Sequence, residues 1–372
     1  MGIYDEIGAK RVINASFPVT LLGGSRLTKE MIDAFAEANE SYVDFWDFMQ
    51  KAGKYIAGIT GAEAAFPTCG AFSALALSAT ACIAGKDPEK IRKLPDASGM
   101  KNEIIIQRCL RALIYDRSMT VSGGKFVIVG NETGCTLKEM EAAINEKTAA
   151  IHFLASDRMP EKALTAEEIV KIAKKHSVPI IMDAAGQTWP IDGLRKWTRM
   201  GVDLVCYSSK YFGGPNAAGF VQGRKDLVEA VSIHTFLGQE SQGRIMDAYS
   251  VGRGYKMDRQ TVCAMLYALK RWVTMDHEKE RIQPATKRAE YILNELKGLP
   301  KVKVNLYPEK FIAGHILGIQ MSFADDKMTQ EVAAKLREGD PAIWIRGNIV
   351  NTLFLKDGEE RTVAKRLREI LR

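Results

Sequence analysis

Val202-Asp203-Leu204-Val205-Cys206-Tyr207-Ser208-Ser209-Lys210-Tyr211-Phe212-Gly213-Gly214-Pro215 is the stretch on which the fold turns. Its first half is a short apolar run, the signature of a strand buried on both faces. Its second half passes through a lysine to a Gly-Gly-Pro loop. Glycine lets the backbone turn sharply and approach a ligand, and proline stiffens the turn. About one strand–helix–strand unit earlier, Val178-Pro179-Ile180-Ile181-Met182-Asp183 is a second such run and ends in a carboxylate.

The same rhythm extends in both directions. Residues 103–107, 125–130, 148–154 and 218–223 read as further strands. Residues 30–38, 45–58, 71–83, 136–145, 165–176 and 193–200 read as helices. Thr136 with Glu139, and Thr165 with Glu168, have the spacing of a capping box. Strands alternating with helices predict an α/β fold whose mainly parallel sheet is covered on both faces. Ser122-Gly123-Gly124-Lys125 reads as a hairpin-type turn.

After Lys225 the pattern changes. Residues 245–254 read as irregular, and 258–297 as an almost continuous helix broken at Pro284. Strands at 302–306, 318–323, 343–346 and 352–355, a helix at 329–338 capped by Thr329 and a last helix at 359–371 make a small α+β domain. The expected organisation is an N-terminal arm (1–25) with no core of its own, a large α/β domain (26–250), and a linking helix with the small domain (251–372).

Composition removes several classes. With 46% hydrophobic and 26% charged residues the chain is an ordinary globular one, not a disordered one. Lys and Arg number 52 against 45 Asp and Glu, a mild, scattered excess that suits an anionic small substrate better than a nucleic acid. The longest apolar stretch, 71–84, is too short for the ~20 residues of a membrane span. The N-terminus has no signal-peptide pattern, and the six cysteines have no CxxC pair, so a cytoplasmic protein with reduced thiols is expected. The five histidines show no paired ligand spacing, so no catalytic metal is expected.

In open α/β sheets ligands sit beyond the carboxyl ends of the strands. Asp183 and Lys210 both stand there. A fixed lysine can form a Schiff base with an aldehyde cofactor, and a buried carboxylate can keep the ring nitrogen of pyridoxal phosphate (PLP) protonated. Singly, Asp183 reads as well as a loop cap, and Lys210 as a solvated surface lysine. Together, with the Gly-Gly-Pro loop in register, they point to the cofactor. For its phosphate, backbone N–H groups at Cys69, Gly70 and Ala71 open a helix, and the Ser208 hydroxyl stands nearby. Arg108, Arg253 and Arg346 are the candidates to meet an anionic substrate group, each also readable as half of a surface ion pair.

Val12-Ile13-Asn14-Ala15, Thr20-Leu21-Leu22-Gly23-Gly24-Ser25, Thr60-Gly61-Ala62-Glu63-Ala64-Ala65 and the stretch from Ser208 to Pro215 together resemble the selenocysteine synthase superfamily of fold-type I PLP enzymes. The likeness is greatest to the D-glucosaminate-6-phosphate ammonia-lyase branch, through Lys101-Asn102-Glu103, Gln107-Arg108 and Val251-Gly252-Arg253. The resemblance implies that Lys210 is the Schiff-base lysine and Asp183 the partner of the ring nitrogen. It implies a lyase that removes an α-proton and a β-hydroxyl from a small amino acid or amino sugar acid and releases ammonia and a 2-keto acid. Transamination, racemisation, aldol cleavage or selenium-transferase-related chemistry would use the same residues. The branch usually has Gly at Phe17 and His at Leu110, a position suited to stacking on the cofactor. The first motif begins at Val12, so no tRNA-contacting domain, and no tRNA partner, is expected. A homodimer or an assembly of dimers is expected.

Overall fold

The computed structural model describes residues 2–156, 159–240, 251–308 and 317–372. The chain divides into two compact units, one of residues 25–273 and one of residues 1–24 with 274–372. Its strands are β1 (Val12–Ala15), β2 (Ala64–Thr68), β3 (Glu103–Gln107), β4 (Lys125–Val129), β5 (Thr148–Leu154), β6 (Ile180–Asp183), β7 (Leu204–Ser208), β8 (Gly219–Gly223), β9 (Lys303–Tyr307), β10 (Gly318–Ser322), β11 (Ala342–Ile345) and β12 (Ile349–Asn351).

The larger unit is built on a seven-stranded sheet in the order β2-β8-β7-β6-β5-β3-β4. Strands β3 to β7 pair in parallel, and β8 runs antiparallel to both β7 and β2. Central strands such as Leu204–Ser208 are buried at every position, which is why they read as continuous apolar runs. The helix Gly70–Ala84 packs across β5 to β8. It is apolar nearly all round and rich in alanine and serine, as a helix lying close on a sheet must be.

The ends of three strands are laced together. Ala155 N donates to Asp183 O (2.9 Å), Ala184 N to Cys206 O (3.1 Å) and Ser208 N to Ala185 O (3.2 Å). The carboxyl ends of β5, β6 and β7 therefore form one rigid rim. Ser208 is in register with Gly219, and Gly219 with Thr68, so the end of β2 joins that rim.

The smaller unit holds the antiparallel sheet β12-β10-β9 and the parallel pair β1–β11. Its core includes Ile292, Ile319, Met321, Leu336, Ile343 and Leu367. The N-terminal arm, expected to lack a core, adds Ile13 and Ala15 to this cluster. Alternate residues of β1 point inward, a period-two pattern too short to stand out in the sequence.

Other expectations are corrected. The long helix is not broken at Pro284. Helix Arg259–Thr274 ends first, a π-helical turn runs from Glu278 to Ile282, and Pro284 sits in the first turn of helix Gln283–Leu296. The π-helical turn runs directly into it, with Ile282 and Gln283 in helical geometry, and such a turn is where a helix adjusts its ladder to a residue that has no N–H. Helix Arg259–Thr274 belongs almost wholly to the larger unit, burying Val262, Met265 and Leu269. Residues 352–355 are not a strand; the pairing strand is Ile349–Asn351. The helix expected from Thr329 starts at Asp326, where Asp325 accepts from Lys327 N. Ser122–Lys125 joins a helix to β4, which pairs in parallel with β3, so it is no hairpin. Of the stretch 245–254, residues 245–250 lie outside the described residues, as does the expected domain limit at 250. Among the described residues no helix is long and apolar enough to cross a membrane.

Candidate active site

Lys210 stands on a 3-10 turn, Ser209–Phe212, directly after β7. Gly213 closes the turn in the left-handed region (φ 83°). Gly214 is needed for a different reason: a Cβ there would stand 2.0 Å from Ser209 Oγ. Ser209 N donates to Ala218 O and Gly214 N to Ser209 O, both at 2.9 Å, so the loop folds back on itself. The Lys210 amine is half-buried, and burial lowers its basicity below that of an ordinary lysine. Its Nζ lies 5.4 Å from the centre of the Tyr211 ring.

Asp183 ends β6 and is buried, with Ala185 N donating to Oδ1 at 3.0 Å. Burial raises its carboxyl pKa; the Ala185 N–H and the nearby His152 oppose this, and the Asp116 charge adds to it. His152, on β5, is buried too, and burial pushes its pKa down. Its Nδ1 lies 3.2 Å from Ile181 O. The β5–β6 register pairs His152 with Ile181 and Leu154 with Asp183, so His152 shares a sheet face with Asp183. Sequence reasoning missed this histidine; the signal was one imidazole inside an otherwise apolar strand.

The third element is the start of helix Gly70–Ala84. Cys69 is its N-cap but supplies no side-chain cap, leaving the first turn's N–H groups without a helical acceptor. Gly70 has φ +80°, and Thr68 Oγ1 and Ser73 Oγ both donate to its carbonyl, at 3.1 and 3.0 Å. The first turn is thus shaped by side chains that leave its N–H groups alone. Burial and the Asp258 charge raise the Cys69 thiol's pKa, so it is a small neutral wall, not a nucleophile. Tyr255, whose own pKa is raised by burial and by Cys69, comes near the same point and was not foreseen.

The arginines are placed differently. Arg108 follows β3 in the short turn Arg108–Leu110, its guanidinium 3.6 Å from Glu132, both groups well exposed. Leu110, where a stacking group was sought, is buried. Arg253 pairs with Glu240 at 2.7 Å. Arg346 belongs to the smaller unit, with its guanidinium 4.3 Å over the Phe17 ring. Lys210, Asp183, Ser208 and residues 69–71 therefore share one rim of the large sheet. Arg108 stands at that rim's far end, and Arg346 is in the other unit.

PLP can be tested against these residues. A half-buried amine of lowered basicity, a buried carboxylate with one backbone donor, and an uncapped helix start are what its aldehyde, ring nitrogen and phosphate require. The residues fit.

Residues 114–287 match the family described as SelA, L-seryl-tRNA selenium transferase. The chain is 29% identical to a 5'-C-glycyluridine monooxygenase-decarboxylase of a Streptomyces species, over 99% of this chain and 92% of that protein. It is also 29% identical to the D-glucosaminate-6-phosphate ammonia lyase of Salmonella typhimurium, over 99% and 97%. A solved D-glucosaminate-6-phosphate ammonia-lyase structure superposes with a TM-score of 0.84 at 27% identity, covering 100% of this chain and 98% of that one.

Proposed function

We propose that the chain, whose residues 114–287 match the L-seryl-tRNA selenium transferase (SelA) family, is a fold-type I PLP enzyme of that kind, binds PLP and is a lyase acting on a small anionic amino acid or amino sugar acid. The carrying observation is the pair of adjoining strand ends, Asp183 on β6 and Lys210 after β7. Lys210 would anchor the cofactor covalently, Asp183 would face its ring nitrogen, and residues 69–71 with Ser208 would hold its phosphate. When bound, PLP supplies an electron sink for charge that develops at the substrate's α carbon.

The chain's own groups supply the rest. Lys210 takes the α-proton; its lowered basicity brings a neutral amine closer to working pH. Asp183 holds a proton at the ring nitrogen. In the larger unit Arg108 and Arg253 are candidate cations for a carboxylate or phosphate, and Arg346 is a candidate in the smaller unit. The net change is loss of a β-hydroxyl as water, uptake of one water at the α carbon, and release of ammonia and a 2-keto acid.

A second reading has equal support from identity: loss of a carboxylate as carbon dioxide with dioxygen as the co-reactant, the chemistry that the words monooxygenase-decarboxylase give for the Streptomyces relative. A screen of amino acids and amino sugar acids, with and without a phosphate, separates the two. Ammonia and keto acid in equal amounts support the lyase, carbon dioxide the second reading, and neither product overturns both.

The working form proposed is a homodimer or assembly of dimers, without tRNA. Dimers are the commonest symmetric assemblies. Leu113, Ile114 and Tyr115 form a run of three exposed apolar residues of the kind a second copy would cover. An active monomer in sedimentation at assay concentration would refute this.

A further inference from the structure

We infer that Ser25 and Thr188 are positioning residues for Lys210, acting through the main chain of the turn that carries it. The inference rests on the PLP reading above. Two successive carbonyls of the turn accept hydroxyl donors from two separate segments. Ser25 Oγ donates to Lys210 O, and Thr188 Oγ1 donates to Tyr211 O at 3.1 Å. Ser25 is far from the turn in sequence. Thr188 is five residues beyond Asp183, so one side chain ties the Asp183 loop to the Lys210 turn.

Thr188 is itself held. It is 1% exposed, and Trp272 Nε1 donates to its carbonyl at 2.8 Å. The same loop also lies against the Tyr211 ring: a Cβ on Gly186 would stand 3.5 Å from Tyr211 Cε1. Within the turn Lys210 O accepts from Gly213 N at a long 3.4 Å, the weak hydrogen-bond geometry of a short 3-10 turn. Two external donors convert it from a turn that can rock into one with a fixed Cα and amine direction. Reaction rates are sensitive to shifts of about 1 Å in the position of a reacting group. The lowered basicity of the amine depends on the same fixation, because a loosened lysine moves into water.

The test uses full-length protein loaded with PLP, as wild type, Ser25→Ala, Thr188→Val and Thr188→Ser. Borohydride fixes the cofactor, peptide mapping gives the yield at Lys210, and a pH series of visible spectra gives the midpoint of the cofactor–lysine linkage. Ser25→Ala and Thr188→Val are expected to bind cofactor and to raise that midpoint. They should also lower kcat by about threefold to tenfold, with KM little changed, as for loss of one hydrogen bond. Thr188→Ser is expected to restore wild-type values. Both removals with a wild-type midpoint and kcat would overturn the inference alone. Wild-type protein that takes no label at Lys210 would overturn the PLP reading as well. Should Thr188→Val not fold, the half-exposed Ser25 decides the matter.

Discussion

Gly70 lies directly on Gly219: a Cβ built on Gly219 would stand 3.0 Å from Gly70 Cα and 2.9 Å from its carbonyl carbon. The first residue of the candidate phosphate helix is thus seated on the first residue of β8, backbone against backbone. The same Cβ would meet Tyr207 O at 2.3 Å, and none of these atoms can swing aside. Gly219→Ala is therefore expected to cost about 1–3 kcal/mol, as overpacking does, and to weaken PLP binding by tilting the helix start. Gly58→Ala is the control. Gly58 lies in helix Phe45–Thr60 with nothing among the described residues within 4 Å of the added carbon, so melting should be unchanged or slightly higher. Thermal unfolding and cofactor titration of both variants check this.

Much of this site was legible because it obeys local rules. Asp183 and Lys210 each end a buried strand, and the β6 and β7 runs are apolar at almost every position. The capping boxes at Thr136 and Thr165 are local too, and both are present. What was not legible depends on register or on distant packing. His152 acquires meaning only when β5 is placed beside β6. Tyr255 reaches Cys69 from far along the chain. The break after Thr274 has no proline to mark it, while Pro284, which looked like a break, follows a π-helical turn inside a continuing helical run. The arm's β1 has only four residues, and its partner β11 is more than three hundred positions away.

Burial makes Asp183 a cost in the cofactor-free protein. Its folded pKa is raised above the unfolded value, so its favourable contribution is complete below the unfolded pKa and is lost as pH rises through the folded one. Asp183→Asn removes that charge with little change of shape. Without cofactor, the variant should melt higher than wild type near neutral pH, by a few degrees at ~1 kcal/mol. The gap should close on acidification as Asp183 itself takes up a proton. With PLP the order should reverse and turnover should fall sharply. Melting curves from acid to neutral pH, with and without cofactor, give the sign. A wild-type advantage without cofactor near neutrality would remove Asp183 as a buried, unneutralised charge.

Gln107 fixes the base of the Arg108 turn. Its Nε2 donates to Leu164 O at 3.1 Å and its Oε1 accepts from Leu164 N at 2.8 Å, with the side chain 1% exposed. Gln107→Leu leaves both backbone groups of Leu164 without these partners. Each such group costs about 1–3 kcal/mol, so the variant should be among the least stable at this rim. Its residual activity should show a raised KM for anionic substrates, because the turn that directs Arg108 is no longer pinned. Denaturant unfolding with steady-state kinetics tests both parts. A stable variant with wild-type KM would show that the Leu164 pairing does not hold Arg108.

Of the two candidate arginines held by a glutamate, Arg108 has the looser pair. It stands 3.6 Å from a Glu132 that is 80% exposed, a contact that solvent and salt weaken and that a substrate anion can replace. Arg253 is held more closely by Glu240, at 2.7 Å. Arg108→Ala should therefore raise KM for a phosphorylated or carboxylated substrate by about tenfold or more, the loss of a charge-assisted hydrogen bond, and leave kcat nearly unchanged. Glu132→Gln should leave KM the same or lower it, since it removes only a competitor for the guanidinium. Arg253→Ala tests the second cation in the same assay. Arg346→Ala, measured beside them, removes a cation held over Phe17, a contact worth about 0.5–1 kcal/mol at an exposed site, and stability should register it first. The measurement is KM at two ionic strengths for all four variants. Arg108→Ala with an unchanged KM, beside an Arg346→Ala variant with a large increase, would move the anion from the β3 end to the smaller unit.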